Sequence, residues 1–120
     1  MNIENIEFFG EKIFLEELEA TGEVWVARSV YKNIYAMELD QKGLSLPVWS
    51  NRERVLAFLK NARLLGPSYE PHAVPVAVFT DAWLSSQMMD ISEVQINPDG
   101  KTTRVLCLTA QEFKSTQAVH

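Results

Sequence analysis

A chain of 120 residues and 13.6 kDa, 47% of it apolar, can build one hydrophobic core but would leave two halves each too small to be comfortable. Charged residues at 22% place it among ordinary globular domains rather than disordered chains, and a single cysteine, Cys107, excludes an internal disulfide. The net charge of −5 is unevenly spread: residues 1–23 hold seven acids and one lysine (−6), and the other 97 hold nine acids and ten bases (+1).

That pattern argues against nucleic acid, which is drawn to clustered lysine and arginine, and in favour of a basic protein partner. Apolar runs such as Val74 to Phe79 are far shorter than the roughly 20 residues that cross a bilayer, so no membrane association is expected. The opening residues lack the basic, apolar and small-residue pattern of a secretory signal, and a cytoplasmic location is the expectation.

Phe9, Ile13, Phe14 and Leu18 recur at helical steps with acids between them, predicting a helix over 8–21. Gly10 weakens its start, Gly22 is a natural stop, and residues 1–7 either extend the helix or form an arm. Val24–Tyr31 and Ile34–Leu39 then read as a β-hairpin, with Asn33 in the connection at positive φ. After a polar turn containing Gly43, Leu46–Trp49 reads as a short strand, which Pro47 confines to an edge or to bonding on one side.

Ser50 and Glu53 match a capping box opening a helix over 51–64, whose core face is Val55, Phe58, Leu59 and Ala62. Arg52, Arg54, Lys60 and Arg63 against Glu53 make it the one basic element, at +3. Gly66-Pro67 ends it, and Pro67, Pro71 and Pro75 mark the following segment as a loop. Val76–Met89 reads as a third helix with Phe79, Ala82, Trp83, Ser86 and Met89 on one side. Glu93–Ile96 and Thr103–Leu108 form a hairpin around Asn97-Pro98-Asp99-Gly100. Thr109 and Glu112 form a second capping box, opening a short helix that carries Phe113, with fraying expected after Gln117. The order predicts one α+β domain over 1–120, a mostly antiparallel sheet of about five strands with three to four helices packed on it.

Val24-Trp25 after the first helix, Leu46-Pro47-Val48-Trp49 before the second, Phe79 with Trp83-Leu84, and Leu108 with Phe113 together resemble a small bacterial family known only as domain of unknown function 2750. The resemblance spans residues 8–113, with Leu64-Leu65 departing from an aromatic residue expected before the proline. It implies a compact cytoplasmic domain and no particular activity, so no functional residue carries over.

Individual residues offer little chemistry. His72 has no nucleophile or orienting acid in recognisable relation to it and reads as a loop histidine; His120 is terminal. Cys107, inside a predicted strand, reads as a packed thiol rather than a nucleophile. One cysteine and two distant histidines do not make a zinc site. Asp81 and Asp90, nine residues apart, would sit roughly 13 Å apart along a helix and are no catalytic dyad. Trp25, Trp49 and Trp83 read as core before they read as a ligand cleft. The expectation is therefore no catalytic, cofactor or metal site, and a non-enzymatic interaction module in preference to an enzyme.

An immunity or toxin-antagonist protein is its most concrete form, with Glu7, Glu11, Glu16 and Glu19 facing a basic partner, or facing Arg52, Arg54 and Arg63 of a second copy. The alternatives are a small-ligand binder or enzyme with a cleft near Trp49, Arg52 and His72, and a homodimer built on the Leu46–Trp49 edge.

Overall fold

The computed structural model describes residues 3–40, 43–85, 90–102 and 104–117, with side chains from Gly10 onward. The fold is α+β. Helix α1 runs Ile3–Thr21, so the residues ahead of position 8 continue the helix from Ile3. Phe14 and Leu18 are its buried anchors, whereas the side chain of Phe9 lies outside the described set. Gly22 closes it at φ +70, where a side chain would be strained, and donates to the Leu18 carbonyl at 2.7 Å.

Strand β1 (Glu23–Ser29) follows as expected, but its main partner is a strand that the prolines disguised. β2 (Met37–Glu38) keeps only two residues of the predicted second strand and pairs with β3 (Leu44–Val48). The first hairpin survives as a single bridge, Arg28 to Ile34, with Tyr35 N donating to the Ala27 carbonyl at 2.9 Å. The positive φ in its turn belongs to Lys32 (+66) rather than to Asn33.

The segment expected as a proline loop is instead strand β4 (Tyr69–Pro75), antiparallel to β1 through seven consecutive pairs. Parity explains how it carries two prolines. Trp25, Ala27 and Ser29 spend their backbone groups on the far side of β1, on Trp49, Tyr35 and Asn33. That leaves Val24, Val26 and Arg28 to bond β4, opposite Val74, His72 and Glu70. Pro71 and Pro75 occupy the other parity, so both missing N–H groups fall on the outer edge of the sheet, where no donor is needed.

The same reasoning corrects β3, which is not an edge. The larger sheet has the order β2-β3-β5-β6, with β5 (Ile91–Ile96) parallel to β3 and β6 (Leu106–Thr109) antiparallel to β5. Trp25 and Trp49 exchange two backbone bonds, 2.8 and 2.9 Å, which tie the β1-β4 pair to the end of β3. On that side of β3, β2 covers Leu44 and Ser45, and β1 reaches only Trp49. Pro47 lies in the gap between them, and its absent N–H points there. One-sided bonding at Pro47 holds; an exposed edge does not, since Leu46 to Trp49 is fully buried.

Helix α2 (Arg52–Asn61) is shorter than predicted and is capped by Asn51, whose side chain accepts from Arg54 N. Ser50 is not the cap because its hydroxyl is engaged elsewhere, and asparagine serves as well at that position. Helix α3 (Val76–Val78) passes into a π turn over Phe79–Trp83, with Leu84 N bonded to the Phe79 carbonyl. The predicted long helix is thus cut short; Ser86 and Met89 lie outside the described residues, as do Thr103 and the last three positions. Helix α4 (Ala110–Gln117) starts with the predicted capping box, Thr109 N to Glu112 Oε1 at 2.8 Å and Glu112 N to Thr109 Oγ1 at 3.0 Å.

Two apolar clusters follow from strand alternation. Val24, Val26, Leu46, Val48 and Val94 point to one face, where Phe14 of α1, Phe79 and Phe113 of α4 close over them, Phe113 edge-on to Phe79 at 5.3 Å and to Phe14 at 6.1 Å. Ala27 and Trp49 point to the other face, covered by Val55, Phe58 and Leu59 of α2. The sheet is therefore layered between helices.

Candidate functional site

The two charged poles of the sequence meet in the folded chain. Glu17 follows Ile13 by four residues and Phe14 by three, so it lies on the inward stripe of α1, where a carboxylate needs partners. It finds them at the β3–α2 junction. Arg54 binds it through two nitrogens, Nε to Oε1 at 2.7 Å and Nη2 to Oε2 at 3.1 Å. Asn51 Nδ2 donates to Oε1 at 3.2 Å, and the Ser50 hydroxyl donates to the same oxygen in a short contact. The bond from Arg54, with smaller help from Ser50 and from the arginine charge, holds the Glu17 carboxyl below its ordinary value against the opposing effect of burial.

Asn97 completes this polar seam. Its left-handed backbone (φ +48) turns the chain out of β5, its Oδ1 accepts from Ser50 N at 3.0 Å, and its Nδ2 donates to Ser50 Oγ at 3.2 Å. Ser50 is fully buried, and these contacts satisfy both its groups.

The loop after Asn97 is held by further bonds from the β3 and α2 side. Trp49 Nε1 donates to the Pro98 carbonyl and Asn61 Nδ2 to the Asp99 carbonyl, both at 2.8 Å. Asp99 Oδ1 accepts from Lys101 N, Thr102 N and Thr102 Oγ1, which lowers its own pKa. Beside this fixed loop lies a half-open cavity of about 430 Å³, bounded by Gly10 and Ile13 of α1, by Arg54 and by residues 96–99, 102 and 104–106. A second hollow of about 460 Å³ runs between α1 and α4, with Leu15 at its base and Glu11, Glu16 and Glu19 around it.

The predicted site residues separate accordingly. Glu11, Glu16 and Glu19 gather at the α1–α4 groove, while the side chain of Glu7 lies outside the described set. Arg54 is drawn to α1; Arg52 stays exposed at the start of α2 and Arg63 in the turn that follows it. Trp49, Arg52 and His72 form no common cleft. Trp49 is buried in the α2 cluster, whereas His72 pairs with Val26 and so faces the opposite side of the sheet. Burial, and then the nearby Arg28, lower the His72 pKa against the opposing charge of Glu70.

Cys107 also departs from expectation. β6 is a sheet edge, and the thiol is exposed rather than packed. Its pKa is nevertheless pushed up to about 11, by partial desolvation first and then by Glu93 across the β5–β6 ladder. An exposed thiol with a raised pKa is a poor nucleophile at neutral pH. No group of three or more His, Cys, Asp or Glu side chains is placed to hold a metal among the described residues, and no described helix is long and apolar enough to cross a membrane.

Residues that the sequence did not single out as functional, Gly10, Glu17, Ser50 and Asn97, form much of this region. One signal was present: a glycine and a glutamate at positions 10 and 17 of an otherwise apolar stripe. A family model described as a protein of unknown function (DUF2750) matches residues 12–116. Comparison with the curated proteins gives no match.

Proposed function

Given that the chain belongs to the DUF2750 family of unknown function, we propose that it is a non-catalytic protein-interaction module whose α1–α4 groove receives a basic amphipathic segment of another protein. The observation that carries this is the grouping of Glu11, Glu16 and Glu19 around an apolar base at Leu15. Such a groove suits an apolar side chain flanked by lysine or arginine, because the acids attract the charges while Leu15 takes the apolar contact. Lys12, 3.9 Å from Glu16, is the one base on the rim among the described residues and offsets only part of the charge. An antagonist of a basic cytotoxic protein is the most concrete role of this kind. Self-association through the basic helix is less favoured, since Glu17 of the same chain already occupies Arg54.

The test uses a short Lys/Leu amphipathic peptide titrated into isotopically labelled protein. Amide shifts are expected at Leu15, Glu19 and Thr116, with binding weakened about tenfold as salt rises to a few tenths molar. Charge reversal by Glu11→Lys, Glu16→Lys and Glu19→Lys should remove it. Equal binding of a Glu/Leu peptide, or shifts confined to another face, would refute the reading.

A further inference from the structure

The cavity beside the polar seam is a separate matter from the acidic groove. Three observations set it apart from an incidental surface hollow. First, its wall is fixed before any ligand arrives. The Asn97–Thr102 loop is held from Ser50, Trp49 and Asn61 and internally by Asp99, so a ligand would not have to order it.

Second, Gly10 stands in the interior of α1, where glycine is the poorest helix former after proline. No packing demands it: a Cβ there would meet nothing within 4 Å. The open space is the mouth of the cavity, which Gly10 lines together with Ile13, one turn on and 44% exposed. Gly10, Ile13 and Glu17 follow the i, i+3, i+7 line of one helix edge, so the cavity and the seam are consecutive along α1.

Third, the charges on the lining favour an anion. Glu17 engages Arg54 through Nε and Nη2, which leaves the two N–H groups of Nη1 without a bond among the described residues. A guanidinium held by a carboxylate behind it presents its remaining edge in a set direction. Arg104 adds a second positive charge to the lining. Asp99, the one acid in the lining among the described residues, directs Oδ1 into its own loop. Beside the polar Asn97 and Thr102, the lining offers apolar surface from Ile13, Ile96, Pro98, Val105 and Leu106.

We infer that this cavity binds a small organic anion, an apolar body carrying a single oxyanion head, with the head on Arg54 and the body on Ile13, Ile96 and Leu106. Carboxylate and phosphate heads share this chemistry, and guanidinium accepts either.

Sodium octanoate, octyl phosphate and octylamine are the probes, each titrated into isotopically labelled full-length protein. Octanoate or octyl phosphate should shift the amides of Gly10, Ile13, Ile96 and Leu106, and the tighter of the two identifies the head group. Gly10→Leu plugs the mouth while raising helix propensity, so it should abolish binding without lowering the thermal midpoint. Arg54→Lys keeps a charge beside Glu17 but loses the planar fork, and should weaken the anion at least about tenfold. Octylamine binding as well as octanoate, binding unchanged in Gly10→Leu, or no binding of either anion at millimolar concentration would each overturn the assignment. The acidic groove lies on the other edge of α1, so success or failure of the peptide titration there is read independently.

Discussion

Replacing Glu17 by glutamine tests the seam that joins the acidic helix to the basic one. The substitution keeps shape and removes charge. It also turns an amide N–H₂ toward Arg54 or toward Ser50, either of which needs an acceptor there. Hydrogen bonds to charged groups are worth about 1.5–3 kcal/mol each, whereas an exposed ion pair contributes roughly 0–1 kcal/mol. With side chains 31% (Glu17) and 40% (Arg54) exposed, solvent screens the pair. The buried Ser50 hydroxyl, however, depends on this oxygen. A loss of about 2 kcal/mol at neutral pH is expected, lowering the thermal midpoint by roughly 8 °C for a domain of this size.

The pH dependence gives a second check. The folded pKa of Glu17 is depressed from its ordinary 4.5, so its stabilisation is complete above that value and is lost as pH falls through the lower, folded one. Urea unfolding of the wild type should therefore lose stability below about pH 4.5, and Glu17→Gln should lack that component. A cost below about 0.5 kcal/mol, or additivity with Arg54→Met in a double-mutant cycle, would refute the account of the seam.

Asn51→Ala should cost about 1 kcal/mol in urea unfolding by removing the α2 cap; no change would return the cap to Ser50. Gly100→Ala should lose about 1–3 kcal/mol, because Gly100 sits at φ +78 and its added Cβ would stand 3.1 Å from the Phe58 carbonyl; a neutral result would mean that the loop moves freely off α2. Iodoacetamide labelling of native protein at Cys107 should be slow at pH 7 and climb toward pH 11, and Glu93→Gln should shift that rise to lower pH. A rate that levels off near pH 8.5 would contradict the role given to Glu93.

Much of the secondary structure was legible because it rests on local chemistry. The Thr109–Glu112 capping box and the stop at Gly22 both depend on neighbours within a few residues, and both stand. The cores were legible too, since burial follows from periodicity, as with Phe14 and Leu18 or Val55 and Phe58. Local rules failed where two of them competed. Ser50 and Asn51 are both good caps, and only the arrival of Glu17, 33 residues earlier than Ser50 in the chain, withdrew Ser50 from that role. Prolines at 71 and 75 signal a loop by composition, yet their four-residue spacing puts both missing donors on one edge, and whether that edge is free depends on which strand lies alongside.

Sequence alone therefore decided the class of fold, the elements with strong local signals and the apolar faces, because propensity and alternation act within a few residues. It also showed two poles of charge, but placed them apart. Tertiary structure decided that Glu17 and Arg54 bind each other, that Pro47 lies inside a sheet, and that Gly10 opens onto a cavity. Each of these joins residues distant in the chain, and such pairings follow from which faces pack together rather than from any local preference.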